Sequence, residues 1–518
     1  MNHTPTHSAP SISGGSVQRR TFLRQLTGLS AATAATGQAW SAASKGTSTE
    51  LAFMSATQLA ALIRARKVSA TEAVNACIER IERVNDRLNA VVMRSFERAR
   101  AEAAALDKRA RRRDFAGALH GVPMTIKDSF DTEGVISTGG TYGRQQYVPD
   151  RDATVVARLR RAGAILLGKT NTPEFTVGGV GGINTSSNSL YGSSHNPYDL
   201  TLTTSGSSGG AAAIVAAGGS AFDIGSDLGG SIRLPAHVNG VAGLKTTHGR
   251  VPRTGHIVGY GGVLDSWQQI GPIARRVEDL ALITPVISGP DYRDAACAPV
   301  PWNDYRRVQI DKLRVAYFAK TDTFQPDEAT QAMIQQVVRW LGEAAQVTED
   351  CPARLLSALN ATRGTLARGD GWAWYKRLAD KWGTKNISGD MAKTIESARQ
   401  IPTPEYVRVW EEADQVKSAL LTWMRRYDVL ICPVAKGPAT AIDRIFNPAE
   451  GGGDSLGLVG AFNSTGWPVA VVRCGTSADG RLPLGVQIVA APWREDVCLA
   501  VASYLEARSG GWQPPPLT

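Results

Sequence analysis

The chain has 518 residues, 43% of them apolar and 20% charged, which fits a folded globular protein and not a disordered, collagen-like or disulfide-stapled one. No apolar run reaches the roughly 18–20 residues that a spanning helix needs, so no integral membrane segment is expected. The net charge of +10 is weighted toward the N-terminus: Arg19, Arg20, Arg24 and Lys45 face a lone Glu50, and the remaining 53 basic and 46 acidic side chains leave +7, too small an excess to argue for nucleic acid.

Residues 16–25 set a twin arginine before Phe22, Leu23 and a further base, Arg24. A weakly apolar stretch from Leu26 to Ala39 follows, and then small residues to Ala43. A charged region, an apolar region and a small-residue cleavage site, in that order, make an export signal. The paired arginines resemble a twin-arginine address, which is read by a receptor and anchors nothing. The expected organisation is a signal peptide over 1–45 and one domain over 46–518, with export to a bacterial periplasm. Six scattered cysteines with no paired spacing read as buried free thiols, consistent with folding in a reducing cytoplasm before export.

Ser55 with Gln58, and Ser69 with Glu72, fit capping boxes that open two helices. After the second, Val74, Cys77, Ile78, Ile81 and Val84 recur at helical spacing and make one apolar face. The basic run Lys108–Arg113 reads as a solvated helix end. Residues 122–127 then read as a strand with Val122, Met124 and Ile126 on one face and Thr125 and Lys127 on the other. The segment 153–162 reads as a helix feeding a buried strand at 164–167. Further strands are expected at 220–224, 315–318, 429–432, 469–474 and 484–490, the last two joined through the turn signal Asp479–Gly480 as antiparallel neighbours. Strands alternating with helices, with one hairpin, predict an α/β fold: a single large domain with a mixed, twisted sheet covered by helices on both faces. The segment 302–427 is helical in texture and holds seven of the twelve tryptophans. Core packing is the simpler reading of that stripe and a substrate-facing wall the other.

The glycines concentrate in Ser205–Gly210 and in Gly225–Arg233. In the second run a serine follows a Gly–Gly pair and precedes a short helical stretch with Pro235 in its first turn. Glycine lets the backbone aim several N–H groups at one spot, a nest suited to a developing oxyanion, and Ser231 beside it is the candidate nucleophile. His237 is too near in sequence to fold back as its base, and no Ser/His/Asp set declares itself. Lys127, at the end of its strand, is the alternative base, with Ser207 or Ser208 as a bridging hydroxyl. No cluster of histidines and cysteines has metal-ligand spacing, and neither a metal nor an organic cofactor is expected.

Gly121–Asp128, the Ser-Ser-Gly-Gly run at 207–210 and Asp227–Arg233 together resemble the amidase signature family of serine hydrolases. Gly243–Arg250, Gln269–Arg275, Phe462–Pro468 and Pro483–Val489 extend the resemblance over roughly residues 55–505. It implies Ser231 as nucleophile, Lys127 as base and Ser207 as the bridging serine, held on a cis peptide bond. It further implies an oxyanion hole from the amides of Leu228, Gly229 and Gly230 with Ser231 itself. Asp227 and Arg233 are then expected to brace the loop as an ion pair and not to touch substrate. One departure is Ser205, where many relatives carry glycine.

The expected activity is hydrolysis of a small-molecule amide through an acyl-enzyme, with the identity of the amide and the oligomeric state, a homodimer included, left open. Three alternatives compete. Gly206–Gly210 also satisfies G-x-S-x-G, which would make Ser208 the nucleophile of an α/β-hydrolase, but no long apolar strand precedes it. The glutamine-hydrolysing subunit of a tRNA-dependent amidotransferase carries the same triad, and the export signal sets it aside. A catalytically silent binding protein would have no reason to keep Lys127, Ser207 and Ser231 together. The run Gly178–Gly182 is not a dinucleotide loop, because Asn184 stands where the third glycine is required.

Overall fold

Three capping boxes in succession start the domain. Thr47 with Glu50, Ser55 with Gln58 and Ser69 with Glu72 each exchange side-chain and backbone hydrogen bonds, and they open helices Ser48–Phe53, Ala56–Arg64 and Ala70–Leu88. The first of these helices is additional to the sequence reading. In the third, Val74, Cys77, Ile78, Ile81 and Val84 are all buried, as their spacing predicts. The computed structural model describes residues 47–178, 185–259, 261–442 and 454–517. The expected signal peptide lies outside them.

An eleven-stranded sheet runs through the domain in the spatial order Val91–Arg94, Ile165–Thr170, Pro123–Lys127, Phe222–Asp227, Gln269–Ala274, Ala242–Lys245, Val469–Thr476, Pro483–Ala490, Val429–Pro433, Arg314–Tyr317, Gln346–Glu349. It is mixed: Pro123–Lys127 lies parallel to both of its neighbours, and the five pairings from Phe222–Asp227 to Val429–Pro433 are antiparallel. The expected hairpin is present, with Gly480 of its turn at φ 76°, where a residue without Cβ is unstrained.

Every residue of Pro123–Lys127, Phe222–Asp227 and Gln269–Ala274 is buried. With helices on both faces, central strands lose the polar-out pattern of a half-exposed sheet. Met124 and Ile126 enter the main apolar core, whereas Thr125 turns to the carboxylate of Asp223. Pro123–Lys127 and Phe222–Asp227 run parallel, so their C-terminal ends meet at one edge of the sheet and carry Lys127, Ser226 and Asp227. Sites in α/β sheets gather at that edge, where loops leave the strands. All six thiols are free, with Cys297 and Cys351 partly exposed and the other four buried. Among the described residues, no helix is long and apolar enough to cross a membrane.

Candidate active site

Lys127 has no solvent exposure. Its Nζ lies 2.7 Å from Ser207 Oγ, 3.0 Å from Ser226 Oγ and 3.5 Å from the Ser226 carbonyl. Burial pushes its pKa down to about 7, against the opposing pull of Asp227 and Asp223. The amine form is therefore within reach at neutral pH. Asp223, pushed up to about 7 by burial, accepts from the Thr125 hydroxyl at 2.6 Å, the Thr170 hydroxyl at 3.1 Å and the Lys127 amide at 3.0 Å. It thus fixes the strand end from which the lysine projects.

Ser207 follows Gly206 across a cis peptide bond and precedes the helix Gly209–Ala216. The Ser208 amide donates to the Ser231 carbonyl at 3.1 Å, which draws the two glycine–serine loops together. Ser186 Oγ accepts from the Gly209 amide at 2.7 Å and donates to the Ser207 carbonyl at 3.3 Å, holding the loop from its other side. Of the two candidate bridging hydroxyls, only that of Ser207 reaches Lys127. Ser208 is fully buried and donates to the Ser226 carbonyl at 3.3 Å, which is no place for an α/β-hydrolase nucleophile.

Ser205 adopts φ 56°, in the left-handed region where a side chain is strained and glycine is not. Ser205→Gly is therefore expected to leave activity unchanged and to hold or raise stability by up to about 1 kcal/mol. A denaturation midpoint lowered by more than that amount would show that the serine side chain contributes a contact of its own.

Ser231 precedes the helix Arg233–Val238 and is 7% exposed. Among the described residues, no hydrogen bond joins its hydroxyl to that of Ser207, and the two loops meet through backbone. The expected donor set of the oxyanion nest needs one correction. The Gly230 amide is already engaged by Asp227 Oδ1 at 2.7 Å, which leaves Leu228, Gly229 and Ser231 as the amides available at this turn. Gly230 matters for a different reason: at φ 111°, a Cβ there would stand 2.8 Å from side-chain atoms of Leu234 and Val459.

Asp227 and Arg233 form a fully buried pair, with Nε to Oδ2 and Nη2 to Oδ1 both at 2.9 Å. Burial alone would raise Asp227, but the charge and hydrogen bonds of Arg233 hold its carboxyl well below the usual range. Arg233 also donates to Gln487 Oε1 at 2.9 Å and to Asn463 Oδ1 at 2.5 Å. Asn463 Nδ2 in turn reaches Asp227 Oδ1 at 2.8 Å and Gln269 Oε1 at 3.0 Å. The motifs at 269–275, 462–468 and 483–489, which had no role in the sequence reading, therefore converge on this brace.

Three residues at the site escaped that reading altogether. Ser226 sits inside the quoted glycine run and becomes visible as a partner of Lys127 only in three dimensions. His256 Nε2 lies 2.9 Å from Ser226 Oγ. Arg363, from the helix Ala353–Arg368, donates through Nη2 to the Leu228 carbonyl at 2.7 Å and stacks over Trp267 at 4.5 Å. It comes from the tryptophan-rich segment, whose Trp372 is itself core, packed with Phe175, Ile257, Tyr375, Ala379 and Met391. Among the described residues, no group of three or more His, Cys, Asp or Glu side chains is arranged to hold a metal ion.

The profile of the Amidase family matches residues 72–499, which include Lys127, Ser207 and Ser231. The chain belongs to the amidase signature family. The A-type component of the glutamyl-tRNA(Gln) amidotransferase of Moorella thermoacetica is 34% identical over 492 residues, covering 88% of this chain and 97% of that protein. The indoleacetamide hydrolase of Bradyrhizobium diazoefficiens is 30% identical over 469 residues, covering 88% and 86%. Among solved structures, 6-aminohexanoate cyclic dimer hydrolase complexed with substrate superposes with a TM-score of 0.79 at 29% identity, over 90% of this chain and 99% of that one. This amidase signature chain therefore shares its architecture with enzymes of different substrates, and the family alone does not choose among them.

Proposed function

We propose that this chain opens a carboxamide C–N bond through an acyl-enzyme on Ser231. The observation that carries the reading is the buried 2.7 Å contact between Lys127 Nζ and Ser207 Oγ, in surroundings that favour the free amine. Neutral Lys127 takes the Ser207 proton as Ser207 takes that of Ser231, and Ser231 Oγ attacks the carbonyl carbon. The amides of Leu228, Gly229 and Ser231 face the negative charge that develops on the carbonyl oxygen. The proton then returns through Ser207 to the nitrogen, the C–N bond breaks, and ammonia or an amine leaves. Water attacks the ester, with Lys127 again as base, and frees the acid.

A second reading is favoured by the curated relatives. The amidotransferase components align at 34–35% identity over 95% or more of their length, against 30% for the indoleacetamide hydrolase. By that likeness the amide is glutamine and the chain works beside partner chains. Its dismissal from sequence rested on a leader outside the described residues, and the relatives now weigh more for it than for a free-standing amidase. Both readings share the acyl-enzyme, and ammonia assays separate them. Turnover of aryl, cyclic or peptide amides by the purified chain alone, well above that of L-glutamine, supports the amidase. Glutamine turnover that appears only with co-purifying partner chains supports the amidotransferase. A folded protein that neither turns over amides nor reacts with a fluorophosphonate is a binding protein of the same fold.

Export is proposed on the arginine pair alone. Changing Arg19 and Arg20 to lysine is expected to retain the full-length chain in the cytoplasm, as read by cell fractionation. Unchanged distribution of the double variant would remove the export reading and, with it, the objection to the amidotransferase.

A further inference from the structure

Behind Lys127 stands a second hydrogen-bonded arm that the reaction scheme does not use. Ser226 Oγ lies 3.0 Å from Lys127 Nζ and 2.9 Å from His256 Nε2. His256 Nδ1 receives the Val258 amide at 3.3 Å and Gln268 Nε2 at 3.0 Å. The same Gln268 nitrogen reaches the Gly259 carbonyl at 3.3 Å, which fixes that end of the side chain as the NH2 group. A backbone N–H only donates, so Nδ1 accepts and the ring proton resides on Nε2, aimed at the Ser226 hydroxyl oxygen. The ring is held edge-on against Phe130, with centroids 5.0 Å apart, and residues 130 and 256 are joined by a backbone bridge.

The surroundings keep the imidazole neutral. Burial disfavours its charged form first, and the cations of Lys127, Arg253 and Arg144 add to that. On the other side, Lys127 is faced by Asp227 and Asp223. A hydroxyl that already accepts one hydrogen bond accepts a second less well and donates its own proton better. The same hydroxyl is therefore a poorer partner for a lysine ammonium and a better one for a lysine amine.

Resting on Lys127 as the base, we propose that His256 is a positioning residue: by donating Nε2–H to Ser226 it sets that hydroxyl to support the free amine of Lys127 over the ammonium. Its neutral tautomer, fixed by Val258 and Gln268, makes the setting permanent across the working pH range.

The test is the pH dependence of Ser231 labelling by a fluorophosphonate in the full chain. For the wild type, the rate is expected to rise with pH through a midpoint near 7, where Lys127 loses its proton. His256→Phe keeps an aromatic ring and removes the donor, and is expected to move that midpoint upward by about half a pH unit or more. His256→Gln, which returns an N–H at similar reach, is expected to keep it near the wild-type value. With Ser226→Ala as background, His256→Phe should move the midpoint no further, because the hydroxyl through which it acts is gone. If the phenylalanine variant does not fold, His256→Met takes its place. An even loss of rate at all pH values, a downward shift, or a glutamine variant that behaves like the phenylalanine one overturns the proposal. A wild type with no midpoint near 7 instead overturns the lysine base itself, and the inference with it.

Discussion

Lys127→Ala is expected to lower kcat/KM on an amide by about 10²–10⁴-fold, the range that a positioned general base supplies, and to lower it less on an ester with the same acyl group. The asymmetry comes from the leaving group. An amine cannot depart as an anion and needs the proton that Lys127 returns through Ser207, whereas an alkoxide or phenoxide leaves without it. Ser231→Ala removes the atom that attacks and should abolish both activities alike. The measurement is kcat/KM on a matched amide and ester for the wild type and the two variants. Amide turnover by Lys127→Ala within about threefold of wild type, under 1 kcal/mol of transition-state stabilisation, would rule out the Lys–Ser–Ser scheme.

The same lysine sets the pH limb. Its pKa stands near 7 because burial penalises the ammonium, and the reactive form is the deprotonated one. Amide turnover should therefore fall as pH drops through about 7 and hold above it. If activity held level well below that value, another group would be the base.

Lys127 and Ser231 were legible because their signals are local. A strand-like run ending in lysine and a serine after two glycines each state their geometry within a few residues. Gly230 shows where locality ends. Whether its amide points into the nest or at a carboxylate depends on Asp227, and Asp227 is turned by Arg233, Asn463 and Gln487, the last two from a helix and a strand near the other end of the chain. His256 was illegible for a similar reason. Gln269 pairs opposite Asp227 in the antiparallel register, so the segment just before that strand folds over the end of Phe222–Asp227. Nothing in residues 251–268 announces this. The fold class was legible from alternation, but the faces of the central strands were not, since strands covered on both sides carry no polar-out signal.

The brace under the nest should be the most stability-sensitive group near the site. Asp227 and Arg233 are each 0% exposed, so removing either leaves the other without its counter-charge in a medium that solvates it poorly. Arg233→Met is expected to cost about 3–5 kcal/mol, the penalty for an uncompensated buried charge. Asp227→Asn should be comparably damaging, because Arg233 is then left to the neutral oxygens of Asn463 and Gln487. The double variant has no orphaned charge and should lose less than the sum of the single losses, by about 0.5–3 kcal/mol. Activity provides the second readout. Asp227 also holds the amides of Gly230 and Ile232, at 2.7 and 3.1 Å, so loosening it frees the turn that carries Ser231. Any folded Asp227→Asn protein should accordingly label more slowly with a fluorophosphonate. Denaturation midpoints for the four proteins decide the matter: single losses under about 1 kcal/mol, or strict additivity, would mean that the pair neither carries the loop nor depends on itself.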